Sequence, residues 1–174
     1  MRDNKVKKLV LTALFAALTT VMTMVIRVPS PTQGFVNLGD CAVLLSAWVL
    51  GPLWGGAAAG IGSMMADLLA SYVHYAPGTL LIKFFMALVA GLIFKALNTD
   101  TRGRCLTAQI LGGVLAEAIM VLGYFSYCAV FLSYGLAASA DIPGNVVQGV
   151  IGLIIATVVY SLLDAAHVFR RIKV

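Results

Sequence analysis

Long apolar runs separated by short turns dominate the sequence, and proline or glycine marks most of the breaks. Proline cannot continue a helix, so each break ends one helix and begins the next. The pattern predicts six helices, at residues 6–28, 38–50, 53–72, 79–97, 105–134 and 144–169. About 20 apolar residues cross a bilayer as a helix. We therefore expect an all-α membrane protein with six transmembrane helices in a single domain, 1–174, whose second helix is short.

Composition agrees with this class. The chain is 61% hydrophobic and only 11% charged, whereas a soluble domain has roughly 25% charged residues. The three cysteines, Cys41, Cys105 and Cys128, form no ligand motif, so we expect neither a metal site nor a disulfide framework. We also expect no cofactor and no catalytic residues, because the sequence has no nucleophile, metal-ligand or phosphate-loop pattern.

The positive charges predict the orientation. Ten of the twelve Lys and Arg residues fall at the amino end, in the 95–104 turn region and in the carboxyl tail, which carries Arg170, Arg171 and Lys173. Six crossings place these three regions on one side, and the positive-inside rule makes that side cytoplasmic. Both termini are thus predicted to be cytoplasmic in a multi-pass protein of the cell membrane. Topology explains the basic charge, so nucleic acid is not an expected partner.

Polar side chains concentrate in the outer half of the predicted bundle. A polar group within a membrane is costly unless it faces a partner or a cavity, and a small-molecule pocket needs a few polar anchors among aromatic walls. The predicted substrate-binding residues are Asn37, Tyr72, His74, Tyr75, Lys83, Glu117, Tyr124, Asn145 and Gln148.

Each of these residues also has a simpler interpretation. Lys83 and Glu117 either contact the ligand or form an ion pair that merely neutralises both. His74 could be a surface loop residue, and Tyr72 and Tyr75 could be interfacial aromatics.

Small side chains predict close helix contacts. Gly56 and Gly60 form a GxxxG motif in helix 3, which should pack tightly on a neighbour. In helix 1, Ala13 and Ala17 lie one above the other with Ala16 beside them. This alanine group suits either packing within the chain or docking of another protein.

The segments GFVNLGD and LGPLWGGAAAGIGSMMADLLASYVHYAPGTLLIK resemble the substrate-binding S components of energy-coupling factor (ECF) vitamin transporters. Within that family they are most similar to the riboflavin-type branch, which includes pyridoxine and hydroxymethylpyrimidine binders. The resemblance implies that residues 29–39 form a lid over the pocket. It also implies that Ala13, Ala16 and Ala17 dock on a transmembrane coupling subunit that works with two ATPase subunits.

The expected function is therefore high-affinity binding of a small aromatic heterocycle, such as pyridoxine or hydroxymethylpyrimidine, for import across the cytoplasmic membrane. A riboflavin-binding S component is the first alternative. An intramembrane enzyme acting on a lipid or isoprenoid is an alternative of another class. The expected partners are the vitamin, the ECF subunits and membrane lipids.

The predicted orientation can be tested by cysteine labelling. A cysteine placed at Thr32 or Ser139 should react with an impermeant thiol reagent added to intact cells, because both positions fall in predicted outer loops. A cysteine at Thr101 should react only after the cells are opened. The reverse pattern would overturn the topology.

Overall fold

The computed structural model describes residues 2–32, 34–97 and 102–168. Within these residues the α-helices are α1 (Arg2–Val25), α2 (Gly39–Leu50), α3 (Pro52–Leu69), α4 (Ala76–Leu97), α5 (Arg102–Ser126) and α6 (Ile142–Ala165). Four helical segments are long and apolar enough to cross a membrane. Residues 98–101 of the predicted turn at 98–104, and the basic tail with Arg170, Arg171 and Lys173, lie outside the described residues, whereas residues 102–104 already belong to α5.

A short antiparallel hairpin replaces part of the predicted helix 1 and first loop. Strands β1 (Arg27–Pro29) and β2 (Phe35–Asn37) pair so that Val28 lies opposite Val36. The prediction that helix 1 continues to Val28 was wrong. Pro29 disfavours the helical conformation of the residue before it, and β-branched valines suit a strand.

Proline also explains why three helices begin earlier than predicted. Pro52 and Pro143 occupy the first turns of α3 and α6, and Pro77 is the second residue of α4. The sequence interpretation assigned each proline to a turn. Proline is tolerated in the first helical turn because its missing N–H has no intrahelical partner there.

The end of the predicted helix 5 is irregular. After Ser126 the chain forms a π-helical turn at Tyr127–Phe131 and then a 3-10 helix at Gly135–Asp141. Ser133 and Gly135 both have positive φ, of 61° and 55°. The prediction of one helix continuing to Tyr134 was therefore wrong, and the irregular segment turns the chain back towards α6.

Helix α2 lies at the centre of the bundle. Residues 39–48 are all buried, and the helix contacts α1, α3, α4 and α6. Its length of 12 residues corresponds to about 18 Å, which confirms the expectation of a short second helix. Trp48, near the end of this helix, is only 5% exposed and packs against Phe94 and Tyr160.

The GxxxG motif packs on a neighbouring helix as predicted. A β-carbon added at Gly60 would lie 2.7 Å from the backbone oxygen of Leu80 in α4, and one at Gly56 would touch Phe84. Such a distance leaves no room for any side chain larger than hydrogen. The close α3–α4 contact brings the ends of these helices together beneath the hairpin.

Candidate functional site

A cleft lies beneath the hairpin, where α3, α4, α5 and the first turns of α6 meet. It contains about 520 Å³ of empty space, including the part that opens to solvent. Its lining combines polar and aromatic side chains, which is what a small-molecule pocket needs. The cleft is thus the place in the described chain to compare with the predicted site.

Seven of the nine predicted site residues line this cleft. They come from β2, the α3–α4 connection, α4, α5 and α6, and are Asn37, Tyr72, Tyr75, Lys83, Tyr124, Asn145 and Gln148. Residues far apart in the sequence therefore converge at one location, as the clustering of polar groups predicted.

His74 and Glu117 do not line the cleft. His74 is exposed, and its ring packs against that of Tyr75 with centroids 5.2 Å apart. Its backbone oxygen accepts a hydrogen bond of 2.7 Å from the Tyr127 hydroxyl. Glu117 is buried deeper in the bundle, against Gly149 of α6. For His74 the structure favours the interpretation as a surface loop residue.

One of the cleft residues, Lys83, belongs to a buried ion pair. The Lys83 ammonium group bonds to the carboxylate of Asp40, the second residue of α2. Asp40 is 0% exposed and Lys83 is 2% exposed. A buried charge is tolerated only when it is paired and hydrogen-bonded. The pair therefore ties α2 to α4 and directs Lys83 to the cleft.

Gln148 connects this ion pair to the hairpin. Its side-chain nitrogen donates to Asp40 Oδ2 at 2.6 Å, and its side-chain oxygen accepts from the backbone N–H of Asn37 at 2.7 Å. Asn37 in turn accepts a hydrogen bond of 2.7 Å from the Gly39 N–H. Helices α2, α4 and α6 and strand β2 thus share one polar network.

The suggested ion pair between Lys83 and Glu117 is not present, because Lys83 is paired with Asp40 instead. Glu117 lies beside the Asp40 carboxyl group, and its oxygens have no hydrogen-bond partner among the described residues. Asp40 is not among the site residues predicted from the sequence. An acid in the first turn of an otherwise apolar helix was the available signal.

Aromatic side chains form the walls of the cleft. Phe35 and Tyr72 meet edge to face with centroids 4.9 Å apart, and Tyr72 and Tyr75 do so at 6.3 Å. The Tyr124 ring lies 5.5 Å from the Lys83 nitrogen, and its hydroxyl donates to Thr79 at 3.0 Å. Such rings can hold a flat heterocycle by offset or edge-to-face contact.

The hairpin is fastened over the cleft by a polar latch made of Thr32, Tyr75 and Asp141. The Asp141 carboxylate accepts hydrogen bonds from the N–H and the hydroxyl of Thr32. The Tyr75 hydroxyl donates to the Thr32 carbonyl oxygen at 2.6 Å. Burial raises the pKa of Tyr75, so the phenol keeps the proton that it donates. Because Thr32 is buried here, Ser139, which is exposed, is the better labelling position.

The alanines of α1 divide between two faces. Ala13 and Ala17 are exposed, whereas Ala16 is half-buried and its backbone carbonyl faces Gly62 of α3. Ala16 therefore packs within the chain. Only the Ala13–Ala17 pair remains open to another protein.

Sequence reasoning missed several other residues that line the cleft. They are small or hydroxylated side chains, acids, one cysteine and one phenylalanine, namely Thr23, Ser30, Gly34, Phe35, Ser63, Asp67, Thr79, Cys128 and Asp141. Serines and threonines are common in apolar helices, so their types alone gave no signal. The described residues contain no group of three or more potential metal ligands. The arrangement suits noncovalent binding of a small polar aromatic molecule.

Comparison with known proteins identifies the family to which the chain belongs. The family model "ECF-type riboflavin transporter, S component" matches residues 3–165. The chain belongs to this family of ECF S components, which are vitamin-binding transport proteins and not enzymes. The alternative of an intramembrane enzyme is thereby excluded.

Individual relatives agree with the family. The chain is 41% identical over 137 residues to an "Uncharacterized protein in gap 3'region" of Pyrococcus woesei, covering 78% of this chain and 87% of that protein. It is 27% identical over 177 residues to "Thiamine precursor transporter HmpT" of Lactococcus lactis subsp. cremoris (strain MG1363), covering 99% and 98%.

Two solved structures share the fold. The S component of a bacterial ECF transporter superposes with a TM-score of 0.66 at 21% identity, covering 92% of this chain and 97% of that one. The S component for biotin from an ECF-type ABC transporter gives a TM-score of 0.57 at 16% identity, covering 92% and 94%.

The importance of the buried ion pair can be tested by a double-mutant cycle. Asp40→Leu and Lys83→Met should each lower the free energy of unfolding by about 3–5 kcal/mol, because each leaves an uncompensated buried charge. The double variant should lose less than the sum of the two single losses. Denaturant titration of the detergent-solubilised protein measures all three.

Lys95→Met is the matched control, since Lys95 is an exposed lysine of the same helix. It should change the free energy of unfolding by less than about 0.5 kcal/mol. Strictly additive losses at Asp40 and Lys83 would contradict the coupling.

Proposed function

We propose that the protein binds a small aromatic heterocycle of the pyridoxine or hydroxymethylpyrimidine type in the cleft beneath the hairpin. The observation that carries the proposal is the combination of three tyrosines, Tyr72, Tyr75 and Tyr124, with the polar side chains of Lys83 and Asn145 around one cleft. The similarity to a thiamine precursor transporter over nearly the whole chain supports a pyrimidine.

The charge of the cleft favours a ligand without carboxylates. Lys83 is the only Lys or Arg among the described residues that line the cleft, and Asp40 already neutralises it. A dicarboxylate such as folate would bring two charges for which the cleft offers no free cation. A neutral or weakly basic heterocycle with hydroxyl groups can use the same polar groups without that cost.

Riboflavin is the second candidate. The description of the family model favours it. Its three fused rings need more room than a single ring, and the edge-to-face packing of Phe35, Tyr72 and Tyr75 already occupies the wall of the cleft.

For import we propose that all six helices cross the cytoplasmic membrane, with both termini inside. The energy comes from two ATPase subunits acting through a transmembrane coupling subunit. The exposed Ala13–Ala17 face of α1 is the proposed docking surface, because small side chains let two helix backbones approach closely in a membrane. Neighbouring exposed side chains such as Leu14 and Leu18 contact lipid.

The binding site can be tested with Asn145→Ala. Asn145 lines the cleft from α6, and losing one hydrogen bond to the ligand should weaken binding about 2- to 10-fold. The ligand is first identified by mass spectrometry of what the purified protein retains, and its affinity is then measured by titration calorimetry.

His74→Ala serves as the control, because His74 belongs to the same predicted set but lies outside the cleft. It should bind with unchanged affinity. Retention of an aliphatic molecule, or a larger loss for His74→Ala than for Asn145→Ala, would refute the proposed site.

The docking surface can be tested with a double substitution of Ala13 and Ala17 by tryptophan. Two bulky rings should block the close approach of another helix, so uptake by cells should fall to background. Binding of the ligand by the purified variant should persist, since neither alanine lines the cleft.

Leu14 and Leu18 offer a matched pair, because they are also exposed on α1 and four residues apart. Replacing both by tryptophan should leave most of the uptake. Normal uptake in the alanine variant would show that docking uses another surface.

A further inference from the structure

Three buried hydroxyl or carboxyl oxygens at the cleft have no hydrogen-bond partner among the described residues. They are Thr23 Oγ1, Ser63 Oγ and Asp67 Oδ2, and all three residues line the cleft. Their side chains are only 4%, 1% and 5% exposed. Leaving a buried polar group unpaired is destabilising, so each such group requires an explanation.

The three side chains belong to one part of the cleft wall. Ser63 and Asp67 are four residues apart on α3, so they lie on the same face of that helix. Helix α1, which carries Thr23, packs closely on this part of α3, because the Thr20 hydroxyl donates to the Gly62 carbonyl oxygen at 2.8 Å. The Ser63 hydroxyl and the Asp67 carboxyl are thus available on α3, and the Thr23 hydroxyl reaches the cleft from α1, beside Gly39 of α2.

Most of the buried charged side chains in the described part of the protein are acidic. The buried acidic and basic side chains of the described residues are Asp40, Asp67, Glu117 and Asp141 against Lys83 alone. Lys83 is bound to Asp40, and Asp141 accepts two hydrogen bonds from Thr32. Asp67, which lies beside Thr79 and Lys83, keeps one oxygen unpaired. The α1–α3 wall therefore has a surplus of hydrogen-bond acceptors.

We infer that Asp67, together with Ser63 and Thr23, forms a subsite for the amino group of an amino-substituted nitrogen heterocycle. This inference rests on the proposed function and narrows it. An exocyclic amino group supplies two N–H donors, one for the carboxylate and one for a hydroxyl oxygen. The other hydroxyl can donate to the neighbouring ring nitrogen. The subsite thus distinguishes an aminopyrimidine from pyridoxine and from riboflavin, neither of which carries an exocyclic amino group.

The discrimination follows from what a wrong ligand would leave unpaired. If a carbonyl oxygen replaces the amino group, two acceptors face each other and the Asp67 oxygen stays without a partner. A site that is built to hydrogen-bond a ligand group rejects an analogue that lacks it far more strongly than an apolar pocket does. Asp67 is therefore a specificity-determining residue.

The test compares two ligands on the unmodified protein. Hydroxymethylpyrimidine with its amino group and the analogue with a carbonyl oxygen in that place are titrated calorimetrically into purified protein freed of retained ligand. The amino form should bind roughly 10- to 100-fold more tightly, which is the range for a hydrogen bond to a charged group.

Equal affinity for the two forms would overturn the subsite while leaving the aromatic cleft as the binding site. If the protein binds neither form but binds riboflavin or pyridoxine, the aminopyrimidine assignment fails. If it binds no flat heterocycle at all, the proposed function fails as well.

Substitutions at the subsite test which residues produce the preference for the amino form. Asp67→Asn should weaken binding of the amino form at least 10-fold and remove most of the preference over the carbonyl form, because an amide can donate as well as accept. Ser63→Ala should weaken the amino form about 2- to 10-fold. This smaller change provides a second test if Asp67→Asn does not fold.

Asp164→Asn is the matched control, since it makes the same chemical change at an exposed position near the other end of α6. It should preserve both the affinity and the preference. An Asp67→Asn variant that is folded and keeps the full preference for the amino form would refute the role of Asp67.

Discussion

The pairing of Asp40 with Lys83 is the interaction on which the site depends. Helix α2 is short and is buried over most of its length, so its first turn lies inside the bundle. A carboxylate there needs a counter-charge, and Lys83 of α4 supplies it. Gln148 then joins the pair to α6 and to the hairpin. One buried charge thereby fixes the relative positions of four elements around the cleft.

Glu117 shows where the cleft ends along α5. It shares a helix face with Tyr124 but lies seven residues away, which is about 10 Å along the axis. Tyr124 lines the cleft, whereas Glu117 does not and lies beside the Asp40 carboxyl group. A molecule in the cleft can therefore contact Lys83 and Tyr124 but not Glu117.

Much of the architecture could be predicted from sequence because apolar length and proline positions determine where membrane helices begin and end. The convergence of Asn37, Lys83, Tyr124 and Gln148 could be predicted for a similar reason, since polar groups in an apolar bundle must face a cavity or each other. The partner of Lys83 could not be predicted from the sequence. Three acids, Asp40, Asp67 and Glu117, lie within the apolar helices, and only the three-dimensional packing of α2 against α4 pairs Lys83 with Asp40.

The hairpin and the contacts of the serine and threonine hydroxyls could not be predicted from the sequence, for other reasons. Two strands of three residues give too short a pattern to distinguish from a loop. Hydroxyl side chains in helices usually bond to their own backbone, as Thr12 and Thr19 do here. Nothing in residue type separates them from Thr23 and Ser63, whose hydroxyl oxygens remain unpaired beside the cleft.

The latch of Thr32, Tyr75 and Asp141 has a kinetic consequence. Each hydrogen bond contributes about 0.5–1.5 kcal/mol, or more where a charge takes part, so three of them slow the lifting of the hairpin by orders of magnitude. Affinity in related complexes is set mainly by dissociation rates. The time for which a ligand stays bound would then depend on the latch as well as on the cleft. Two proteins with identical cleft walls could hold the same molecule for very different times if only Asp141 differed.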